Sequence, residues 1–535
     1  MASLGGAAFI IALAGVMSRV LGFVRDRLLA SSFGAGDTLD AYYAAFRLPD
    51  FIYGFLVLGA LSAAFVPVFT ELMDKDKENE AWWLMHSVLY LLLLTLGGAA
   101  LLGILFAPWV ATWIAPGFPD EKQALVATLT RIMLLSPVLL ALSAVFGGVL
   151  ISLKRFLAYS LAPIFYNVGI IIGIVCFVPY FGIAGLAWGV VLGAFLHGLV
   201  QYPAVTHAGY QYRRFHWKHL LDASTRQVVR LMIPRSLAMA INQISLLIVT
   251  VFASTLASGS LAVVTLATNI QSVPLGLFGI SFAVAAFPVL SSFAGKGASK
   301  DFFEIFNRTV QRILYFVIPL SLFMIIFRAE IVRIVLGTGA FNWEDTILTF
   351  QMLGILSLSL FAQCLIPLFV RAFFALQDTR LPLIAALVGE TVHLGLVPFF
   401  LPRFEVFGLG LAFSIGVTVQ LLFLYVFLRQ RLASWSDFKF FAPLFKILFI
   451  ALAAALVAQL SKGLFALTID RLDTFVEVLV KLGLGLVIGL GTYVALSAWY
   501  CLPEYEDIRR FILCRVFRRP ETVALTQDHP EKGDW

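Results

Sequence analysis

The chain has 535 residues, 61% hydrophobic and 13% charged, with a formal net charge of +7 and a mean hydropathy of +0.94. Soluble domains carry about 25% charged residues, so this composition leaves little room for a soluble domain and points to an all-α polytopic membrane protein. The positive balance follows membrane orientation and does not argue for nucleic acid as a partner.

Hydropathy predicts about fourteen spans, near 4–32, 38–71, 82–113, 124–152, 156–178, 183–206, 226–256, 260–292, 303–327, 345–375, 381–401, 405–428, 440–461 and 474–501. No signal peptide is expected, because no charged leader precedes a short apolar region closed by a cleavage site. With the first residues inside, most loop lysines and arginines fall on the inner side, among them Lys154, Arg155, Arg429 and Arg431. The sparse outer set comprises Lys122, Arg328, Arg333, Arg403, Lys462 and Arg471. The positive-inside rule then places both termini in the cytoplasm. The polar tail after Pro503 is expected to be poorly ordered.

Span one carries the stretch that most needs explaining, Ser18-Arg19-Val20-Leu21-Gly22-Phe23-Val24-Arg25-Asp26. Counting from Leu4 at about 1.5 Å per residue, Arg19 lies roughly 22 Å in and Arg25 roughly 31 Å in. A hydrocarbon core is about 30 Å thick. Arg25 and Arg27 can therefore snorkel to headgroups, whereas Arg19 calls for a polar cavity. At about 100° per residue, Ser18 and Arg25 share one side of the helix, and Arg19 and Asp26 a neighbouring one. An arginine fork suits phosphate or carboxylate, so an anionic substrate is expected.

Span two adds Asp40, Arg47 and Asp50, whereas the matching part of span eight, Thr265 to Ser272 with Asn269 and Gln271, is polar but neutral. These spans are related by an internal repeat. Ala63-Ala64-Phe65-Val66-Pro67-Val68 parallels Val284-Ala285-Ala286-Phe287-Pro288-Val289, and Ala30-Ser31-Ser32 through Gly36 parallels Ala253-Ser254-Thr255 through Gly259. Six spans separate the copies, which predicts two pseudo-symmetric six-helix lobes about an axis along the membrane normal. The division is an N-lobe over 1–222, a C-lobe over 223–432, two further helices over 433–502, and a basic tail over 503–535. A cavity between the lobes would have a cationic N-lobe wall and a hydrogen-bonding C-lobe wall.

Span eleven carries Glu390, Thr391 and His393, which could bind a cation or accept a proton and couple transport to an ion gradient, or simply pack helices. Arg235 and Asn242 are polar points on span seven. His197, His207, His216 and His219, with Arg213, Arg214, Trp217 and Lys218, read as an interfacial anchor. Cys176, Cys364, Cys501 and Cys514 have no metal-ligand or redox spacing. Neither a GxSxG elbow nor a phosphate loop is present, so no catalytic residue, metal or organic cofactor is expected.

Several motifs together resemble one family. They are the Ser18–Asp26 stretch, Phe33-Gly34-Ala35-Gly36, Asp40-Ala41-Tyr42-Tyr43, Phe46-Arg47-Leu48-Pro49 and Gly59 to Pro67, with Ala115-Pro116-Gly117-Phe118, Gly337-Thr338-Gly339-Ala340-Phe341 and Ala375 to Arg380 further on. These are similar to the MurJ (MviN) family of lipid II flippases, in the multidrug/oligosaccharidyl-lipid/polysaccharide exporter superfamily. The resemblance implies fourteen spans in two lobes, residence in the bacterial inner membrane, and alternating access. Its substrate would be the undecaprenyl-diphosphate-linked peptidoglycan precursor, moved from the cytoplasmic to the outer leaflet by a monomer surrounded by membrane lipid. The family's first-helix arginines fall on Arg19 and Arg25, its following acid on Asp26, and the acid opening span two on Asp40. Where members carry basic residues in span two and an arginine in span eight, this chain has Ile52 to Leu58 and Asn269. On the residues, the expected substrate contacts are Ser18, Arg19, Arg25, Asp26, Asp40, Arg47, Asn269 and Gln271. Two other readings stand beside lipid II flipping: export of another undecaprenyl-linked glycan, and a non-transporting membrane scaffold.

Overall fold

The computed structural model describes residues 4–58, 64–210, 222–468 and 474–516, with the backbone alone at 4–9, 58, 233–235, 237–242, 465–468 and 511–516. Among these residues every regular element is a helix. Ten helices are long and apolar enough to cross a membrane, and the bent pair Trp343–Leu358 and Leu360–Ala375 makes an eleventh. These coincide with predicted spans three to six and eight to fourteen. Span one is a continuous helix, Leu4–Phe33, that keeps its arginines inside. Span seven is Ala223–Ser254, and its side chains at Arg235 and Asn242 lie outside the described residues, as do Gly59 to Ala63 and residues 211–221 with His216 and His219.

Spans two and eight break in the same way. Asp37–Tyr53 is followed by a π-helical turn, Gly54–Leu58, and Val66–Asp74 resumes around Pro67. Ser260–Pro274 is followed by the π-helical turn Leu275–Ile280, and Ser281–Gly295 resumes around Pro288. Both turns start at the same distance ahead of the repeat's proline. Glycine and proline weaken the local ladder, and π turns form where it is weak. The repeat seen in sequence is thus also a repeat in backbone irregularity.

Glycines let neighbouring helices approach closely, as is usual where lipid offers no hydrophobic drive between helices. Spans five (Phe156–Ile172) and six (Ala184–Leu199) meet through Gly169 and Gly173 against Gly189 and Gly193. A Cβ on Gly169 would lie 2.3 Å from Gly193 backbone. Exposed aromatic side chains gather near helix ends, with Trp109, Trp113, Tyr180, Phe181 and Trp343 in one set and Phe438, Phe445, Trp499 and Tyr500 in another. This is the pattern of aromatic belts at the two water–lipid boundaries.

The tail departs from expectation. It begins as a helix, Pro503–Val516, because Leu502, Tyr505 and Ile508 pack on Tyr315, Phe323 and Tyr493 of spans nine and fourteen. Apolar anchoring of its first turn outweighs its polar composition.

A largest core runs through both lobes, joining Leu29 to Ala45 with Ala253 to Ile270 and Leu353 to Phe373. A second core lies mostly within the N-lobe, from Ile52 to Val205, and takes in Val228 at the start of span seven. The residues on either side of the turn between spans one and two thus share a core with the C-lobe.

Candidate functional site

Span one lies against span five and crosses span eight, and the two sides read from its periodicity meet these two neighbours. On one side, Asn167 of span five receives Arg25 Nη1 at Oδ1 (3.0 Å) and donates from Nδ2 to the Ser18 carbonyl (3.3 Å) and Ser18 Oγ (3.4 Å). On the other side, Arg19 Nη1 donates to the Val273 carbonyl of span eight (2.8 Å), and Asn269 Nδ2 donates to Asp26 Oδ2 (3.0 Å). Arg25 also grips Asp26 Oδ1 through Nε (2.9 Å) and Nη2 (2.7 Å). A chain of bonds Ser18–Asn167–Arg25–Asp26–Asn269 thus ties spans five, one and eight.

The charge balance of this network leaves one cation over. Asp26, 4% exposed, offsets Arg25. Among the described residues no carboxylate lies within ion-pair distance of Arg19, and its guanidinium donates to a backbone carbonyl. The guanidinium lies over Gly276, where a Cβ would come within 1.7 Å of Nη2. Glycine is needed there because the arginine occupies the space. A small cavity of about 200 Å³ is lined by Arg19, Arg25, Asp26, Asn269 and Ser272. An anion entering it meets two guanidinium forks, and charge-assisted bonds are among the stronger hydrogen bonds.

Asp40 and Arg47 are engaged elsewhere. Asp40, 1% exposed, accepts from the backbone N–H of Gly259 (2.8 Å) and Ala262 (2.9 Å) and from Lys122 Nζ (2.9 Å). It sits on the N-terminus of span eight, where unpaired N–H groups favour a carboxylate. Lys122 also bonds Asp37 (2.6 Å), Asp37 accepts from Ser258 (2.7 Å), and Gly117 N–H donates to Ser254 Oγ (3.1 Å). Nearby, Ala340 N–H donates to the Ser31 carbonyl (2.8 Å), and Ala35 N–H to Asp345 (3.0 Å). Together these form an interlobe latch. Arg47 donates to Thr250 Oγ1 of span seven (2.7 Å). Gln271 is buried, and among the described residues its Nε2 has no partner.

In the C-lobe, Glu390 Oε2 accepts from Ser245 Oγ of span seven (2.5 Å) and lies 3.2 Å from His393 Nδ1. His393 is 4% exposed, and among the described residues its Nε2 lacks a partner. No cluster of three or more histidine, cysteine or acidic side chains able to hold a metal occurs among the described residues.

Two participants escaped sequence reasoning. Asn167 joins the two ends of the charged stretch, and its only signal was one amide in the otherwise apolar Phe156–Ile172. His197, read as part of a surface anchor, instead points into the N-lobe and meets Ser143 Oγ at 2.5 Å. Its neighbours in sequence suggested a boundary; the packing of span six on span four decided otherwise.

The family model described as "Lipid II flippase MurJ" matches residues 29–479. A probable lipid II flippase MurJ of Rhizobium meliloti is 31% identical over 427 residues, covering 77% of this chain and 78% of that protein. A lipid II flippase MurJ of Burkholderia cenocepacia is 28% identical over 427 residues, covering 78% and 82%. The fold is similar to a solved lipid II flippase MurJ in an inward closed conformation, with a TM-score of 0.77 at 24% identity over 94% of this chain and all of that one. An inward-facing MATE-family multidrug transporter of the MOP superfamily aligns with a TM-score of 0.67 at 15% identity.

Proposed function

The chain belongs to the lipid II flippase MurJ family, and from that premise we propose that the Arg19–Arg25 junction binds the diphosphate of the substrate it flips. The protein is a lipid II flippase, a transporter that moves a peptidoglycan precursor across the membrane by alternating access. A sugar–peptide headgroup on a diphosphate is large and anionic, so unaided passage through hydrocarbon is prohibitive. The observation that carries the assignment is the two-sided engagement of span one. Arg25 is already neutralised by Asp26 and fixed by Asn167, while among the described residues Arg19 is held only by a carbonyl of the opposite lobe. A diphosphate can replace that carbonyl, so binding and loosening of the contact between lobes become one event. Asn269 supplies a neutral donor beside it, and Asp40 and Arg47 serve closure rather than direct contact.

We read the latch end as the outer face, with both termini cytoplasmic, in the inner membrane, and the lobes as 1–222 and 223–432. The basic residues on the opposite loops support this orientation. Glu390, with His393 and Ser245, is the candidate for binding a proton or cation that drives the return of the empty carrier. A shared acidic site joining spans seven and eleven suits such coupling, because its occupancy changes how those spans pack.

The test measures outer-leaflet lipid II by its accessibility to an externally added cleaving enzyme, in a bacterium depleted of its own flippase. Wild type should restore accessibility, and Arg19→Ala should not. Full restoration by correctly inserted Arg19→Ala would overturn the site assignment. No restoration by inserted wild type would turn the reading toward another undecaprenyl-linked glycan.

A further inference from the structure

Behind Arg19 the N-lobe contains a separate cavity of about 480 Å³, within the roughly 300–1,000 Å³ of small-molecule sites. Its wall includes Tyr53, Ser143, Tyr159, His197 and Gln201, and Arg19 lines both it and the arginine–asparagine cavity. We propose that this N-lobe cavity is a sugar subsite, taking a neutral ring of the headgroup whose diphosphate sits at Arg19; it rests on the diphosphate reading above.

Three observations carry the inference. First, apart from Arg19, no lysine, arginine, aspartate or glutamate among the described residues lines the cavity. That suits a hydroxyl- and amide-bearing group and not a second phosphate. Second, a polar cluster is already organised for hydrogen bonding. Gln201 Nε2 donates to Ser143 Oγ (2.8 Å) and to the His197 carbonyl (3.3 Å), and Ser143 Oγ lies 2.5 Å from His197 Nδ1. These bonds fix the Gln201 amide, yet its Oε1 has no partner among the described residues although the side chain is 1% exposed. A buried acceptor left unpaired is costly, and a ligand hydroxyl or amide N–H would satisfy it. Third, Gly147 keeps the space clear. A Cβ there would stand 3.1 Å from the Tyr159 ring and 3.4 Å from Gln201 Oε1. Tyr53 and Tyr159 also line the cavity, and aromatic side chains beside polar groups offer a sugar ring both apolar surface and hydrogen bonds.

A purely structural role, gluing span four to span six, makes a different prediction, and binding measurements separate the two. The purified protein is titrated with two short-chain probes: a farnesyl diphosphate carrying the disaccharide peptide, and bare farnesyl diphosphate. Wild type should prefer the sugar-bearing probe by about tenfold, the scale of one or two hydrogen bonds. Gln201→Met, close in volume but without the acceptor, and Gly147→Leu, which fills the space, should each abolish the preference while leaving bare diphosphate binding unchanged. Retention of the preference in Gln201→Met overturns the subsite, as does an equal loss for both probes. If wild type binds bare diphosphate but shows no preference, only this inference fails. If it binds neither, the diphosphate reading fails with it.

Discussion

The latch around Asp40 and the junction around Arg19 are built from the same residue types and behave oppositely. At the latch every charged group has a charged or hydrogen-bonding partner. Lys122 serves both Asp37 and Asp40, and Asp40 also takes two backbone N–H groups at the start of span eight. The backbone is tailored to this contact. Gly259 has φ +88°, and a Cβ on it would come 1.8 Å from the Ala35 carbonyl oxygen. At the junction, Arg25 and Asp26 cancel, but among the described residues Arg19 is left with a single carbonyl. A fully satisfied site holds a conformation; an under-satisfied one is ready to exchange partners. The difference assigns closure to one and binding to the other.

The comparison can be broken most severely at Arg25. Arg25→Ala leaves Asp26 buried without its cation, which costs about 3 kcal/mol or more, so flipping should fall roughly a hundredfold, read as outer-leaflet lipid II. Retained flipping would mean that the junction binds nothing essential. Asp40→Asn removes the charge facing Lys122 and the span eight N-terminus, a loss of about 1–2 kcal/mol. It should shift the population toward the outward-open state, seen as faster labelling of a cysteine placed at Ala262; unchanged labelling would deny the latch its role. Gly276→Ala must displace the Arg19 guanidinium, so binding of a diphosphate probe should weaken several-fold while thermal stability stays within about 1 kcal/mol of wild type. Equal loss of stability and binding would make Gly276 a packing residue.

The smallest effect is expected at Asp378, in the loop before span eleven. Partial burial works to raise its pKa, but the N–H groups of Leu381 and Arg380 and the Arg431 guanidinium outweigh it and hold the carboxyl below its ordinary value. A lowered carboxylate stabilises the fold above its unfolded pKa of about 4, and that contribution disappears as pH falls through the lowered value. The melting temperature of wild type should therefore exceed that of Arg431→Gln slightly at pH 7, and the gap should close in acid. A gap independent of pH would remove the electrostatic explanation.

The helical period alone paired Ser18 with Arg25 and Arg19 with Asp26, and those pairs meet spans five and eight respectively. This was legible because one continuous helix converts spacing into direction without help from the rest of the chain. The repeat of spans two and eight was legible for a similar reason: glycine and proline act locally, so copied residues gave copied backbone breaks. Asn167 was not legible, since a lone amide carries no sign of its partner across a helix interface. Asp40 read as one more cavity charge, because hydropathy reports depth and not which helix end a carboxylate faces.

By itself, then, the sequence determined an all-helical membrane protein, two related lobes, and a first helix whose buried charges demand polar company. Those follow from transfer energies and periodicity, which act residue by residue. Only the tertiary structure decided which charges are spent on holding the lobes together and which remain for a ligand. That division depends on pairings between residues hundreds of positions apart, such as Asp40 with Gly259 and Arg19 with Val273, and the close approach of helices sets them.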